Sequence, residues 1–467
     1  MVLFGLLTTS ARSRMMRYIW NMTGLGCPGS FRDRREEMEE KIYRTYVAIL
    51  RKELIPAFGC TEPIAIAYAS AVAVKALGEK PVGAVIHCSG NIVKNVKSVT
   101  VPNSGGMKGI EAAAVLGIVA GRDEAGLEVL AGVDEKDIRE CRRLLNQGFC
   151  KGRLEEGKEG LYIRAEVFSD KNTAFAEIVG DHTNITRIEK NGEAILERKP
   201  EEVQDYDGEN REGALDYSLL TINGILDFAQ SDDVKLAEPI LQRQMDYNLA
   251  IAEEGIRSHY GVETGKLVLE QERNDTVRQR AIAYAAAGSD ARMSGCPLPA
   301  VINSGSGNQG LTVTLPVMVY ANAMGVEKEK IYRALAVANL IAVHQKYYIG
   351  SLSAYCGAVC AAAGAVSGIA FLEGMQSDVI EKTITNTICT IGGMVCDGAK
   401  ASCSAKIAAA LNTAFLSFDL AKRGMVFETG DGLAGCDTEE TIKSIGRMAR
   451  EGMRTTDVEI LHIMMNE

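Results

Sequence analysis

LYIRAEVFSDKNTAFAEIVGDHTNITRIEKNGEAIL, residues 161–196, alternates apolar and polar residues with period two through 161–168, 173–179, 184–189 and 193–196. That is the pattern of half-buried strands, and Asn191-Gly192 supplies the two positive-φ positions of a tight hairpin between the last two. An antiparallel β subdomain over 151–205 follows. The sequence on either side keeps another period. Ile42, Tyr46, Ile49, Leu50 and Leu54 share one face of a helix that must stop before Pro56. PIAIAYASAVAVKAL, from Pro63, is apolar all round and so reads as a buried helix, with Thr61 or Glu62 as cap and Gly78 just past its end. Residues 82–88 and 96–101 read as strands enclosing Ser89-Gly90-Asn91, and the chain after about residue 213 is mostly helical. The expected class is α+β, a predominantly helical body with an antiparallel β subdomain set between helical segments. Its expected divisions are 1–37, 38–150, 151–205 and 206–467. Residues 1–37 lack periodicity and are expected to be a disordered leader or the product of a start upstream of Met38.

Composition narrows the function. Of 467 residues, 46% are hydrophobic and 24% charged, which describes a soluble globular chain and excludes global disorder. Lys plus Arg number 51 against 61 Asp plus Glu, a net charge of −10 with no basic block, so nucleic acid and anionic membranes are poor partners. The uncharged run 354–371 is rich in Gly and Ala, which supply little transfer energy, so it is expected to be a core helix rather than a membrane span. Gly reaches 47 residues, an excess that points to close helix packing and to backbone approaching a ligand. Twelve cysteines accompany no signal-peptide pattern, so a reducing, cytoplasmic setting with free thiols is expected. Five histidines make histidine-rich zinc chemistry a poor fit.

Several short constellations carry chemistry. Gly305-x-Gly307-x-x-Gly310 has the spacing of a dinucleotide fingerprint, but LTVTLP after it reads as extended where that motif needs a helix. SGSGNQG is instead read as a cup of backbone donors for a carboxylate or phosphate, and a phosphate cup would suit pyridoxal phosphate. Ser89-Gly90-Asn91 followed by VTVP is echoed by Ser306-Gly307-Asn308 followed by VTLP, as if two loop-strand units converged on one ligand. Cys60 precedes a helix start, where the dipole favours thiolate. Cys356, Cys396 and Cys403 belong to a crowd of six cysteines between 356 and 436. Their spacing alone leaves metal ligation and plain packing both open.

Taken together and in order, GCTEP (59–63), SGNIVKN (89–95), SDARMSG (289–295), INSGSGNQG (302–310), LSAYCG (352–357) and CDGAKASC (396–403) resemble the L-cysteine desulfidase family, which is related to the α chain of the iron–sulfur L-serine dehydratases. The resemblance runs from about residue 38 to the C-terminus. It implies a [4Fe-4S] enzyme that converts L-cysteine and water to pyruvate, ammonia and hydrogen sulfide, with cluster ligands on Cys356, Cys396 and Cys403 and a reactive cysteine at Cys60. Three protein thiolates leave one iron open as a Lewis acid, and a base must take the α-proton, for which Cys60 is the candidate. Ser89, Asn91, Ser306, Asn308 and Arg292 are the candidates for the substrate carboxylate. Lys346, Lys406 and His182 are the next candidates for the base. L-Serine dehydratase and a non-catalytic iron–sulfur sensor are the rival readings. The partner implied is a small amino acid, and a homodimer is left open as the assembly.

Overall fold

The computed structural model describes residues 28–158, 160–198, 215–270, 276–350 and 353–465, with side chains from residue 41 onward. The chain divides into two units, Met1–Tyr46 and Val47–Glu467. What is described of the first is helical, the leading part of α1 (Pro28–Glu53), so the leader expected over 1–37 is helix from Pro28 on. Its portion 1–27 lies outside the described residues. The helix stops ahead of Pro56, as that residue requires.

The second unit opens with β1 (Pro56–Phe58) and α2 (Thr61–Leu77), whose N-cap is Cys60 rather than Thr61 or Glu62, and which ends on Gly78 at φ 74°. β2 (Gly83–Cys88) follows as expected, but 96–101 is not a strand: α3 (Gly90–Val96) begins directly after Ser89. Val96 closes α3, Lys97 and Ser98 form an exposed turn, and Thr100 makes only an isolated bridge to Lys108, so the β-branched residues of 96–101 find no strand partner to extend along. After α4 (Ile110–Ala120) and α5 (Glu135–Asn146) come β3 (Cys150–Leu154), β4 (Tyr162–Phe168), β5 (Thr173–Val179), β6 (Ile185–Lys190) and β7 (Glu193–Glu197). The hairpin turn uses Asn191 and Gly192 at φ 53° and 85°. These strands form one six-stranded sheet in the order β3-β2-β4-β5-β6-β7. β2 enters it between β3 and β4 and runs parallel to β3, so the sheet is mixed and recruits a strand from outside 151–205. α2 lies against β4 and β5 and against α4.

The remainder is helical: α6 (Ile222–Gln230), α7 (Glu238–Arg257), α8 (Thr264–Glu270), α9 (Val277–Met293), α10 (Gly307–Met324), α11 (Lys328–Ile349), α12 (Gly357–Leu372), α13 (Ser377–Ile391), α14 (Ser402–Lys422), α15 (Thr438–Arg447) and α16 (Arg454–Met465). Only β8 (Pro299–Val301) interrupts them among the described residues, pairing antiparallel with β1. The fold is thus α+β and mostly helical.

LTVTLP, expected to be extended, lies inside α10 with Pro316 in the helix interior. Thr312 and Thr314 donate their hydroxyls to Asn308 O and Gly310 O at 2.7 Å, so a helix buried on every side carries no unmet hydroxyl. The strand before it belongs to a two-stranded antiparallel ribbon, not to the parallel sheet of a dinucleotide fold.

The run 354–371 becomes α12, buried along nearly its whole length, and among the described residues no helix is long and apolar enough to cross a membrane. α12 packs on α11 so closely that a Cβ at Gly364 would stand 2.4 Å from Ala338 O. Gly364→Val should therefore cost about 3 kcal/mol of stability. Gly393→Ala, where the added carbon meets nothing within 4 Å, should stay within about 0.5 kcal/mol. Thermal unfolding of both variants checks the contrast, and equal midpoints would refute the close packing.

Candidate active site

A cavity of about 150 Å³ in the second unit gathers residues from most of the motifs. Four helices open on it with their N-termini. Cys60 is the N-cap of α2, Ser306 of α10 and Cys356 of α12, while Cys403 lies in the first turn of α14. Each contributes backbone N–H groups that have no partner within their own helix, together with the positive end of a dipole. The lining also carries Lys52, Lys94, Arg292, Lys346 and Lys406 against Glu53, Glu62 and Asp181. The cavity is built for negative charge.

The three thiols expected to act together share its wall. Cys356 N donates to Met394 O at 3.0 Å and Cys396 N to Ala354 O at 2.6 Å, so the two cysteine loops are zipped to each other through the Tyr355–Val395 bridge. Burial, then the neighbouring Cys396, pushes the Cys356 thiol up to about 12. Burial also raises Cys403, with Cys396 adding to it. Lys346 of α11 is buried, and burial holds its ammonium group below the ordinary range, opposed by Cys360, Cys396 and Cys356. Among the described residues no three His, Cys, Asp or Glu stand close enough to grip a single metal ion. A cubane asks for something else, because each thiolate takes its own iron and the ligands stand apart. Three soft thiols on one wall, beside the buried Lys346, fit such a cluster.

Cys60 corrects an expectation. Its place before α2 suggested a thiolate, yet burial drives its pKa well above the ordinary thiol value and the Glu62 carboxylate drives it further, with Arg292 opposing. Cys60 Sγ donates to Glu62 Oε2 at 2.8 Å. Thr61 Oγ1 donates to the same oxygen at 3.1 Å and Asn95 Nδ2 to Oε1 at 2.9 Å. Glu62 is therefore a fixed, buried acceptor for the Cys60 proton. It was overlooked although it stands inside GCTEP, because on the sequence it reads as a first-turn helix acid.

Arg292, next to the end of α9, is 3% exposed. Its Nε has no hydrogen-bond partner, and no carboxylate hydrogen-bonds its guanidinium among the described residues. The guanidinium lies so tightly on the α10 N-terminus that a Cβ at Gly307 would be 2.2 Å from Nε. Ser306 and Asn308 line the cavity beside it, and Asn308 Oδ1 is buried without a partner. Ser89 and Asn91 stand outside the lining. Ser89 Oγ donates to Gly160 O at 2.7 Å, and Leu461 of α16 covers Gly90. The sequence echo is therefore a pair of helix N-termini of which one faces the cavity; α3 offers it Lys94 and Asn95 instead. His182, in the β5–β6 turn, does reach the lining, with Nε2 buried and unpartnered. Lys406 lines it too, paired with Asp397.

The profile of the serine dehydratase alpha chain family matches residues 124–462. A "UPF0597 protein" of Lachnoclostridium phytofermentans is 48% identical over 425 residues, which is 91% of this chain and 100% of that one. "UPF0597 proteins" of Finegoldia magna and Treponema denticola are each 45% identical over 91% and 92% of this chain and over their full lengths.

The Cys60–Glu62 contact has a chemical signature. A carboxylate that raises the thiol suppresses its alkylation, so Glu62→Gln should increase the iodoacetamide reaction rate at Cys60 several-fold near pH 8, read by peptide mass spectrometry. An unchanged rate would show that Glu62 does not govern this thiol.

Proposed function

The chain belongs to the serine dehydratase alpha-chain family, and on that footing we propose that it is a β-eliminating lyase that converts L-cysteine and water to pyruvate, ammonia and hydrogen sulfide. The observation that carries the reading is the meeting, in one cavity, of three thiols with a buried guanidinium that no carboxylate hydrogen-bonds among the described residues. A buried unpaired cation is costly unless an anion from outside completes it, and an amino acid's carboxylate does so.

In this reading Arg292 and the α10 N-terminus hold the carboxylate and aim the substrate, which replaces a diffusional encounter by a fixed geometry. Cys356, Cys396 and Cys403 would hold a [4Fe-4S] cluster, which when bound supplies an open iron as Lewis acid for the departing sulfur. Cys60 passes its proton to Glu62, to which it is already hydrogen-bonded, and its sulfur then accepts the proton from the substrate α-carbon. Burial makes that thiolate rare but strongly basic, as removal of a weakly acidic C–H demands. The Cα–H electron pair becomes the new double bond while the Cβ–S bond breaks. Aminoacrylate leaves, tautomerises to the imine and takes up water to give pyruvate and ammonia. The second reading, dehydration of L-serine by the same elimination, is favoured by the name of the matching family.

Anaerobically purified protein should release sulfide and pyruvate in equal amounts from L-cysteine, with L-serine assayed in parallel to decide between the two. A protein that binds either amino acid and converts neither would be a sensor. Cys356→Ser, Cys396→Ser and Cys403→Ser should each lose most of the iron, whereas Cys360→Ser and Cys389→Ser keep it; equal iron in all five would sink the ligand assignment. Cys60→Ala should retain iron and lose turnover by about 10²–10⁴-fold, together with exchange of the α-proton into deuterated solvent. Loss of iron in that variant would make Cys60 a ligand instead.

A further inference from the structure

Arg292 and the α10 N-terminus account for the carboxylate end of an amino acid and leave its ammonium group without an acceptor. Each carboxylate of the lining already accepts at least one hydrogen bond from the protein. Glu62 receives Cys60, Thr61 and Asn95. Asp181 Oδ1 receives both Thr183 N and Thr183 Oγ1 at 3.0 Å, and Glu53 receives the Tyr217 hydroxyl. Four buried acceptor atoms of the lining have no hydrogen-bond partner: His182 Nε2, the Tyr355 hydroxyl, and two amide oxygens, Asn308 Oδ1 and Gln309 Oε1, which sit on successive residues of the first turn of α10 beside the Arg292 guanidinium.

Gln309 is the deeper of the two, 5% exposed. Its amide lies flat against Gly357, where a Cβ would stand 2.5 Å from its Cδ and 2.7 Å from Oε1. Gly357 directly follows Cys356, while the Arg292 guanidinium presses on Gly307, two residues before Gln309. The unpaired amide therefore bridges the guanidinium that awaits a carboxylate and the thiol wall that awaits a substrate's sulfur or oxygen. On an α-amino acid the ammonium group lies between those two ends. We infer that Gln309 anchors the substrate's α-ammonium group through Oε1, which makes the cavity selective for acids with a free α-amino group. The inference rests on the lyase reading for the direction of the substrate, but not on turnover. A site built around a buried acceptor rejects the analogue that lacks the donor, because the acceptor is then left unpaired.

The test uses the anaerobically isolated protein and two unreactive ligands that differ at this group. L-Alanine carries carboxylate and ammonium with nothing to eliminate; 3-mercaptopropionate carries carboxylate and thiol with no ammonium. Calorimetric dissociation constants for both are measured on wild type, Gln309→Leu and Gln309→Glu, alongside KM and kcat for L-cysteine. Gln309→Leu should weaken L-alanine and raise the L-cysteine KM by about 10- to 100-fold, the worth of one hydrogen bond to a charged group, and leave 3-mercaptopropionate within about twofold. Gln309→Glu keeps an acceptor, so it should hold L-alanine and weaken 3-mercaptopropionate by repulsion; it also serves if the leucine variant fails to fold. Equal weakening of both ligands in Gln309→Leu, or no weakening of either, overturns the inference, as does a wild type that binds neither. Sulfide release with a KM indifferent to Gln309 would leave the lyase reading standing and the anchor refuted. Gln309-dependent binding of L-alanine without conversion of L-cysteine or L-serine would do the reverse.

Discussion

A helix N-terminus presents N–H groups that nothing within the helix can satisfy, and four of them here converge on one cavity. That convergence, together with a buried guanidinium and a buried lysine, is the constraint from which the rest of the site follows. Positive charge gathered away from water is tolerable only if an anion completes it. The fold supplies one partial answer in Glu62, but spends both of its oxygens on Cys60, Thr61 and Asn95 rather than on Arg292. In the proposed lyase reading, what remains unbalanced is left for ligands, a carboxylate at one end and a thiolate-bound cluster at the other.

The helix dipole and burial pull Cys60 in opposite directions, and magnitudes decide. A dipole at a helix terminus contributes about 0.3–1 kcal/mol, whereas full burial of an ionisable group shifts its pKa by up to about 3–5 units at about 1.4 kcal/mol each. Burial wins, and Glu62 two residues away adds to it. The sequence reading weighed the dipole because the cap position is visible in GCTEP. The depth of the cavity is not visible there, since it is made by α9, α10 and the 396–403 loop, hundreds of residues away.

The same distinction separates what was legible from what was not. Local periodicity marked the strands of 161–196 and the buried helix after Pro63, because each carries its own pattern. The thiol wall was legible through family motifs, since no spacing within Cys396–Cys403 could say that Cys356 would be zipped beside them by two backbone hydrogen bonds. Two short segments misled. In 311–316 β-branched residues are buried on every side, so neither the alternation of a strand nor the stripe of a surface helix appears, and propensity points the wrong way. In 96–101 the chain leaves α3 through an exposed turn at Lys97 and Ser98, and Thr100 forms only an isolated bridge to Lys108. The place of β2 in the sheet was equally hidden: it pairs with β4 some eighty residues on and runs parallel to β3, and neither relation leaves a mark in its own six residues.

Glycine abundance was read at the outset as close packing, and the structure gives that excess two distinct uses. At Gly364 the absent side chain lets α12 meet the backbone of α11, which concerns stability alone. At Gly307 and Gly357 it lets Arg292 and Gln309 lie on helix starts that also carry Ser306 and Cys356. There the space left by a missing Cβ is filled by a polar group of the protein whose other side faces the cavity. A side chain at either position would push that group toward the cavity, so on the proposed reading these glycines shape recognition without touching any ligand. Their neighbours in the sequence name the site, and their own lack of a side chain sets its dimensions.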